Sequence, residues 1–169
     1  DVVTGTSVLA TCAASTNTGY TERMGMPGTY TTTLTVNSGI TVTDSMVMMP
    51  IAAIDIGITN NDSVTNKGTI VGKKVGLRMG GGSNHVIQNE AGATISGGTD
   101  GVVINNGFND TLTNDGTIKG GTGAGLYVNG VSLSLFTNAG EISSTSGAGI
   151  NIDSALMQKN TVRNRGNIF

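Results

Sequence analysis

From residue 64 onward, apolar and polar positions recur at a nearly fixed interval. The segments VTNKGTI, IQNEAGATI, LTNDGTI, FTNAGEI and VRNRGNI are copies of one phrase. Each opens on an apolar residue (Val64, Ile87, Leu112, Phe136, Val162), carries an asparagine two residues later (Asn66, Asn89, Asn114, Asn138, Asn164) and closes on isoleucine (Ile70, Ile95, Ile118, Ile142, Ile168). By subtraction, the asparagines are 23, 25, 24 and 26 residues apart. A glycine-rich link follows each of the first four phrases and leads to a second short segment. These segments begin Gly76-Leu77-Arg78-Met79, Gly101-Val102-Val103-Ile104, Gly125-Leu126-Tyr127-Val128 and Gly149-Ile150-Asn151-Ile152. Alternation with period two turns Leu77, Val102, Leu126 and Ile150 inward, and Arg78, Val103, Tyr127 and Asn151 outward.

Short strands recurring at this spacing predict an all-β fold, a right-handed parallel β-helix (β-solenoid) with coils of about 24 residues. Stacked coils set like residues over like at about 4.8 Å, and each coil pairs the open strand edges of its neighbour. Stability is then close to a sum of nearest-neighbour terms, so a fault in the middle of the stack costs more than one at an end. The asparagine column reads as structural, a ladder of side-chain amides at a corner. The glycines read as corner residues where a Cβ would clash.

Residues 34–63 are less regular. Leu34 to Val42 echoes the phrase through Asn37 and Gly39, and Ile54-Asp55-Ile56 echoes the second strand. Residues 1–33, rich in threonine and glycine, read as a divergent N-terminal cap. Residues 64–169 form the regular coils of the same continuous domain. The chain stops at Phe169, inside a phrase, which suggests a truncated fragment.

Composition narrows the function classes. Only 4% of residues are aromatic and 12% charged, with a formal net charge of −2. Without a basic stripe, the long-range field that draws proteins to nucleic acid is missing. The single Cys12 excludes an intrachain disulfide framework. The longest apolar run, Met46 to Ile54, is broken by Pro50 and falls well short of the roughly 20 residues a membrane-spanning helix needs.

The alternation of Asn66-Lys-Gly-Thr-Ile70-Val-Gly72 and Asn114-Asp-Gly-Thr-Ile118-Lys-Gly120 with Asn89-Glu-Ala-Gly-Ala-Thr-Ile95-Ser-Gly97 resembles the passenger domains of bacterial autotransporters. The likeness covers residues 64–169 well and 34–63 loosely. It implies a cell-surface or secreted passenger, carried by an outer-membrane β-barrel that lies outside this chain. It also implies a role in adhesion to host cells, to a matrix protein or to a glycan, or in bacterial aggregation through self-association. A rigid spacer displaying another domain is an alternative, and a glycan-processing β-helix enzyme is another.

Catalysis on such a scaffold needs clustered carboxylates or a metal site. Asp100, Asp110, Asp115, Glu141 and Asp153 do not share one repeat position. Asp44, Asp55 and Asp62 lie where the register is not readable, and they are the remaining candidates for a carboxylate pair. His85, the only histidine, reads as a solvated loop residue, and Gly80-Gly81-Gly82 as a flexible turn without the Lys-Ser/Thr of a phosphate loop. No catalytic, cofactor-binding or metal-ligating residue is assigned. Lys73, Lys74, Arg78, Val103 and Tyr127 form a candidate outward contact surface: the cations suit an acidic glycan, and Val103 with Tyr127 presents an exposed apolar step. Arg163 and Arg165 form a smaller basic group.

Overall fold

The computed structural model describes residues 2–4, 7–14, 20–21, 31–44, 51–153 and 159–169. Among these residues every regular element is a strand. The strands build three parallel sheets that wrap around one core as a β-solenoid. The first sheet contains Ser7–Cys12, Thr31–Val36, Ser63–Asn66, Val86–Asn89, Thr111–Asn114, Leu135–Asn138 and Thr161–Asn164 in chain order, with Val2–Thr4 added antiparallel at one edge. The second contains Thr41–Thr43, Thr69–Gly72, Thr94–Gly97, Thr117–Gly120, Glu141–Ser144 and Asn167–Ile168. The third contains Tyr20–Thr21, Ala52–Ile56, Val75–Met79, Asp100–Asn105, Leu126–Asn129 and Ile150–Asp153. Each coil with a described strand in all three sheets takes them in that order.

Registers are like over like, as the repeat predicts. Ile87 pairs with Val64 and Leu112, and Ile95 with Ile70 and Ile118. Leu34, Val64, Ile87, Leu112 and Phe136 are buried together with Ile70, Ile95, Ile118 and Ile142 in one continuous cluster. The last coil is the exception, with Val162 and Ile168 exposed. Most of the expected cap, residues 1–33, lies outside the described residues. Its described strands Ser7–Cys12 and Tyr20–Thr21 extend the first and third sheets.

The glycine that opens each segment of the third sheet has a specific cause. A Cβ on Gly76, Gly101 or Gly125 would come within 2.8 Å of the Cγ2 of Ile95, Ile118 or Ile142 in the next coil. The carbonyls of Gly101, Gly125 and Gly149 in the next coil lie as close, at 2.7 Å, so backbone and isoleucine column together fill the space a side chain would need, and the strand bends there. The bend sets the next residue, Leu77, Val102 or Leu126, into the core while Val75 packs outside it.

In the less regular residues 34–63 the echo of the phrase does not reach the asparagine column. Val36, not Asn37, pairs with Asn66. Asn37 instead opens a turn whose carbonyl accepts the Ile40 N–H, as Glu90 does for Ala93. In both turns the third residue, Gly39 or Gly92, has positive φ, the geometry of a type II turn. The phrase thus has a long corner and a short one, and Asn37 belongs to the corner.

Candidate functional site

The asparagine column is a continuous buried ladder. The Nδ2 of Asn66 donates to the Oδ1 of Asn89 (2.8 Å), Asn89 to Asn114 (2.7 Å), Asn114 to Asn138 (2.7 Å) and Asn138 to Asn164 (2.8 Å). The same amides also donate to the carbonyls of Thr94, Thr117, Glu141 and Asn167 at 3.0–3.1 Å. Asn66, Asn89, Asn114 and Asn138 are buried, so their hydrogen-bonding capacity is spent inside the stack. The ladder begins at Asn66 because Val36 occupies the place below it. There, the Gly68 N–H donates to the Asn66 Oδ1.

A second buried column runs along the corner between the third and first sheets. It stacks Thr32, Asp62, His85, Asp110, Ser134 and Asn160, the last one half-buried. At four of its steps a side-chain oxygen accepts the backbone N–H of the preceding coil. Asp62 takes it from Thr32 (2.7 Å), Asp110 from His85 (2.9 Å), Ser134 from Asp110 (2.8 Å) and Asn160 from Ser134 (3.0 Å). The residues just before them, Asn61, Asn84, Asn109 and Leu133, all adopt left-handed backbone angles. The three asparagines form an exposed amide ladder of their own.

His85 is therefore not a solvated loop residue: it is 2% exposed. Its Nε2 lies 2.9 Å from the Gly81 carbonyl, and its Nδ1 approaches the Asp62 Oδ2 at 3.3 Å, an ion-pair distance outside hydrogen-bond geometry. Gly80 to Gly82 is not a flexible turn either, because Gly82–Ser83 pairs in parallel with Gly107–Phe108. A Cβ at Gly82, where φ is positive, would meet the Thr59 carbonyl and the His85 ring, and one at Gly80 would meet the Gly57 carbonyl, which is why those two positions are glycine.

Burial of the imidazole opposes its protonation. The Asp62 carboxylate, the Gly81 carbonyl and the charge of Asp110 outweigh that, and the pKa of His85 lies above the ordinary 6.5. Burial also raises Asp110, whose Oδ2 has no hydrogen-bond partner, against the opposing pull of the His85 amide and charge. The two shifts have the same sign for stability. A raised histidine contributes stability that is complete below its unfolded pKa and is lost as pH rises through the folded one. A raised aspartate likewise favours the folded state at low pH and loses that advantage as pH rises above its ordinary value. The melting temperature is expected to fall from about pH 6 to about pH 8, and His85→Gln to flatten that slope. Thermal melts by circular dichroism at several pH values check this, and an unchanged slope in the variant would count against the ion pair.

The three candidate carboxylates are not brought together. Asp44 follows the second sheet and accepts the Lys73 N–H (2.9 Å). Asp55, on the outer side of the third sheet, holds Arg78 through two hydrogen bonds of 2.7 and 3.0 Å. Asp62 is fully buried and also accepts the Thr59 hydroxyl (2.7 Å).

The outward surface differs from its expectation in two respects. Lys73 and Lys74 are exposed, while Arg78 is half-buried and paired with Asp55. Val103 is 6% exposed and forms no apolar step. The bend at the glycine column puts Val75 on the same outer side, and Val103 packs with Ala52, Val75 and the half-buried Tyr127 in a small second cluster. Arg163 and Arg165 are exposed on the last coil.

Beyond Val103 the outer side of the third sheet changes character. The column that begins Ala52 and Val75 continues as Asp100, and the glycine register places Ala124 and Ala148 after it. Beside it, Tyr127 and Asn151 succeed Val103. A shallow pocket of about 430 Å³ lies between the two columns, bounded on its far side by the turn residues Thr122, Gly123 and Gly147. Comparison with protein-family models, curated proteins and solved structures gives no match to this chain.

Proposed function

We propose that this chain is part of an autotransporter-like passenger, displayed on a bacterial surface or secreted, and that it works non-enzymatically in adhesion to host cells, matrix or a glycan, or in aggregation. One observation carries the reading furthest: the polar side chains that recur from coil to coil are spent on neighbouring coils, which leaves recognition to the residues that vary on the outer faces. The N-x-G-T-I-x-G and N-x-A-G-A-T-I-x-G phrases supply the family side of the argument. In this reading the solenoid stands away from an outer-membrane β-barrel and holds its outer faces rigidly toward a partner.

Displaying the chain on a non-adherent bacterium through an unrelated outer-membrane barrel tests it. Adhesion to epithelial cells or matrix-coated wells, or clumping, is expected above the level of the barrel alone. Binding no greater than the barrel alone would favour a rigid spacer that presents a different domain. That second reading draws on the unbroken core, which suits a stiff support. Release of oligosaccharides from a glycan mixture, abolished by Asp44→Asn, Asp55→Asn or Asp62→Asn, would favour an enzyme instead.

A further inference from the structure

We infer that the pocket on the outer side of the third sheet, between Asp100 and Asn151, is a binding site for one unit of a neutral saccharide. The inference rests on the adhesive reading above and gives it a place and a ligand class. Three features of the pocket match the chemistry of a sugar ring. Its floor carries only small apolar side chains, because the column that holds Val75 and Asp100 in the two preceding coils is reduced to Ala124 and Ala148. One wall is the half-buried ring of Tyr127, anchored from behind by Val103. The rim is polar, with Asp100, Thr122 and Asn151 around it. A pyranose presents an apolar C–H face and a ring of hydroxyls, and pockets for such molecules pair an aromatic or apolar surface with a few fixed polar groups.

The carboxylate on the rim is held in place. Asp100 is fixed by its own coil stack, where its Oδ1 accepts the Ala124 N–H at 2.6 Å. Gly123 and Gly147 make the far edge, where an added side chain would displace the Asp100 carboxylate or meet backbone. A Cβ on Gly123 would strike the Asp100 carboxylate, and one on Gly147 would strike the Gly123 carbonyl. The corner is thus kept free of side chains by the stacking itself, which leaves the pocket open to a ligand from solvent.

Charge selects the class. Asp100 is the only ionisable group besides the Tyr127 phenol among the pocket residues, and no cation lines it. An acidic sugar would set its carboxylate against Asp100, whereas the hydroxyls of a neutral one can donate to Asp100 and exchange hydrogen bonds with Asn151. The acidic glycan suggested by Lys73 and Lys74 does not suit this site.

The test is an NMR titration of the isotope-labelled chain with methyl glycosides of galactose, glucose and mannose, and with glucuronic acid as the acidic probe. A dissociation constant on the order of 1 mM is expected for at least one neutral glycoside, with shifts confined to amides of residues 122–127 and 147–151. Glucuronic acid should bind at least about tenfold more weakly. Tyr127→Ala should weaken the neutral sugar about tenfold or more. Asn151→Ala, at an exposed position that cannot endanger folding, should weaken it measurably. No shifts with any neutral glycoside, shifts elsewhere on the chain, equal binding of glucuronic acid, or affinity unchanged in both variants would each overturn the inference. The surface-display assay separates the two levels. Adhesion that persists in both variants, with no sugar bound, removes the pocket and leaves the adhesive reading. Sugar bound at the pocket by a chain that confers no adhesion keeps the pocket and removes that reading.

Discussion

Asn114→Ala is expected to destabilise the solenoid by about 3 kcal/mol, while the same change at Asn164 should cost less than about 1 kcal/mol. Asn114 sits in the middle of the ladder: it accepts from Asn89 and donates to Asn138 and to the Glu141 carbonyl. Truncation removes all three bonds: the Oδ1 of the buried Asn138 loses the donor that reaches it, while Asn89 keeps only its backbone acceptors such as the Thr117 carbonyl. A buried polar group left without a partner costs about 1–3 kcal/mol, and neighbouring amides in a chain of hydrogen bonds support one another. Asn164 terminates the ladder and is exposed, so water replaces what its loss removes. Urea denaturation of the two variants, compared at constant slope, measures the difference. Equal losses at both positions would mean that the ladder contributes nothing beyond ordinary surface hydrogen bonds.

Two glycines of neighbouring corners should respond very differently to alanine. At Gly116 a Cβ would collide with the Ala93 carbonyl and lie 2.5 Å from the Glu90 carbonyl oxygen, both of them backbone atoms. The Ala93 carbonyl cannot retreat without breaking its hydrogen bond from the Thr117 N–H (2.9 Å). Gly116→Ala is therefore expected to cost about 3 kcal/mol or more and to separate adjacent coils locally. Gly92 has φ of 81° and nothing within 4 Å of an added Cβ. Gly92→Ala meets only the left-handed backbone cost, about 1 kcal/mol. Thermal melts of the two variants, with hydrogen exchange at the Thr117 amide, distinguish a clash between coils from a conformational penalty. The reverse order of stabilities would refute the distinction.

The ladder, the isoleucine column and the glycine column were legible in the sequence because each repeats the same residue type. A position that must fill one volume, or stack one amide on another, admits few substitutes. The corner column was hidden for the opposite reason. Its members, Asp62, His85, Asp110, Ser134 and Asn160, share a task and not a shape: at most of its steps the side chain offers an oxygen to the N–H of the coil before. A signal was present all the same, since each stands four residues before a ladder asparagine, and three follow an asparagine directly. Reading the offset instead of the letter would have placed His85 between two aspartates. Val103 was misjudged because alternation assigns a side of the sheet, not a degree of exposure. The glycine bend crowds two columns onto the outer side, and an alternation rule cannot register a bend. The pocket was unreadable for a related reason, since it exists only where Ala124 and Ala148 fall beside Tyr127 from separate coils.

The interval between ladder asparagines also sets how this molecule would yield to a pulling force. In a stack of this kind the hydrogen bonds between strands run along the long axis, so tension applied at the two ends loads one coil boundary at a time instead of shearing a whole sheet. A coil of about 24 residues that peels away releases up to roughly 80 Å of slack chain, at about 3.3–3.6 Å per residue. Its neighbour then becomes the new end and bears the load. A body that gives way in such steps can stay attached while it lengthens, as a rope paid out from a coil does not snap at the first jerk.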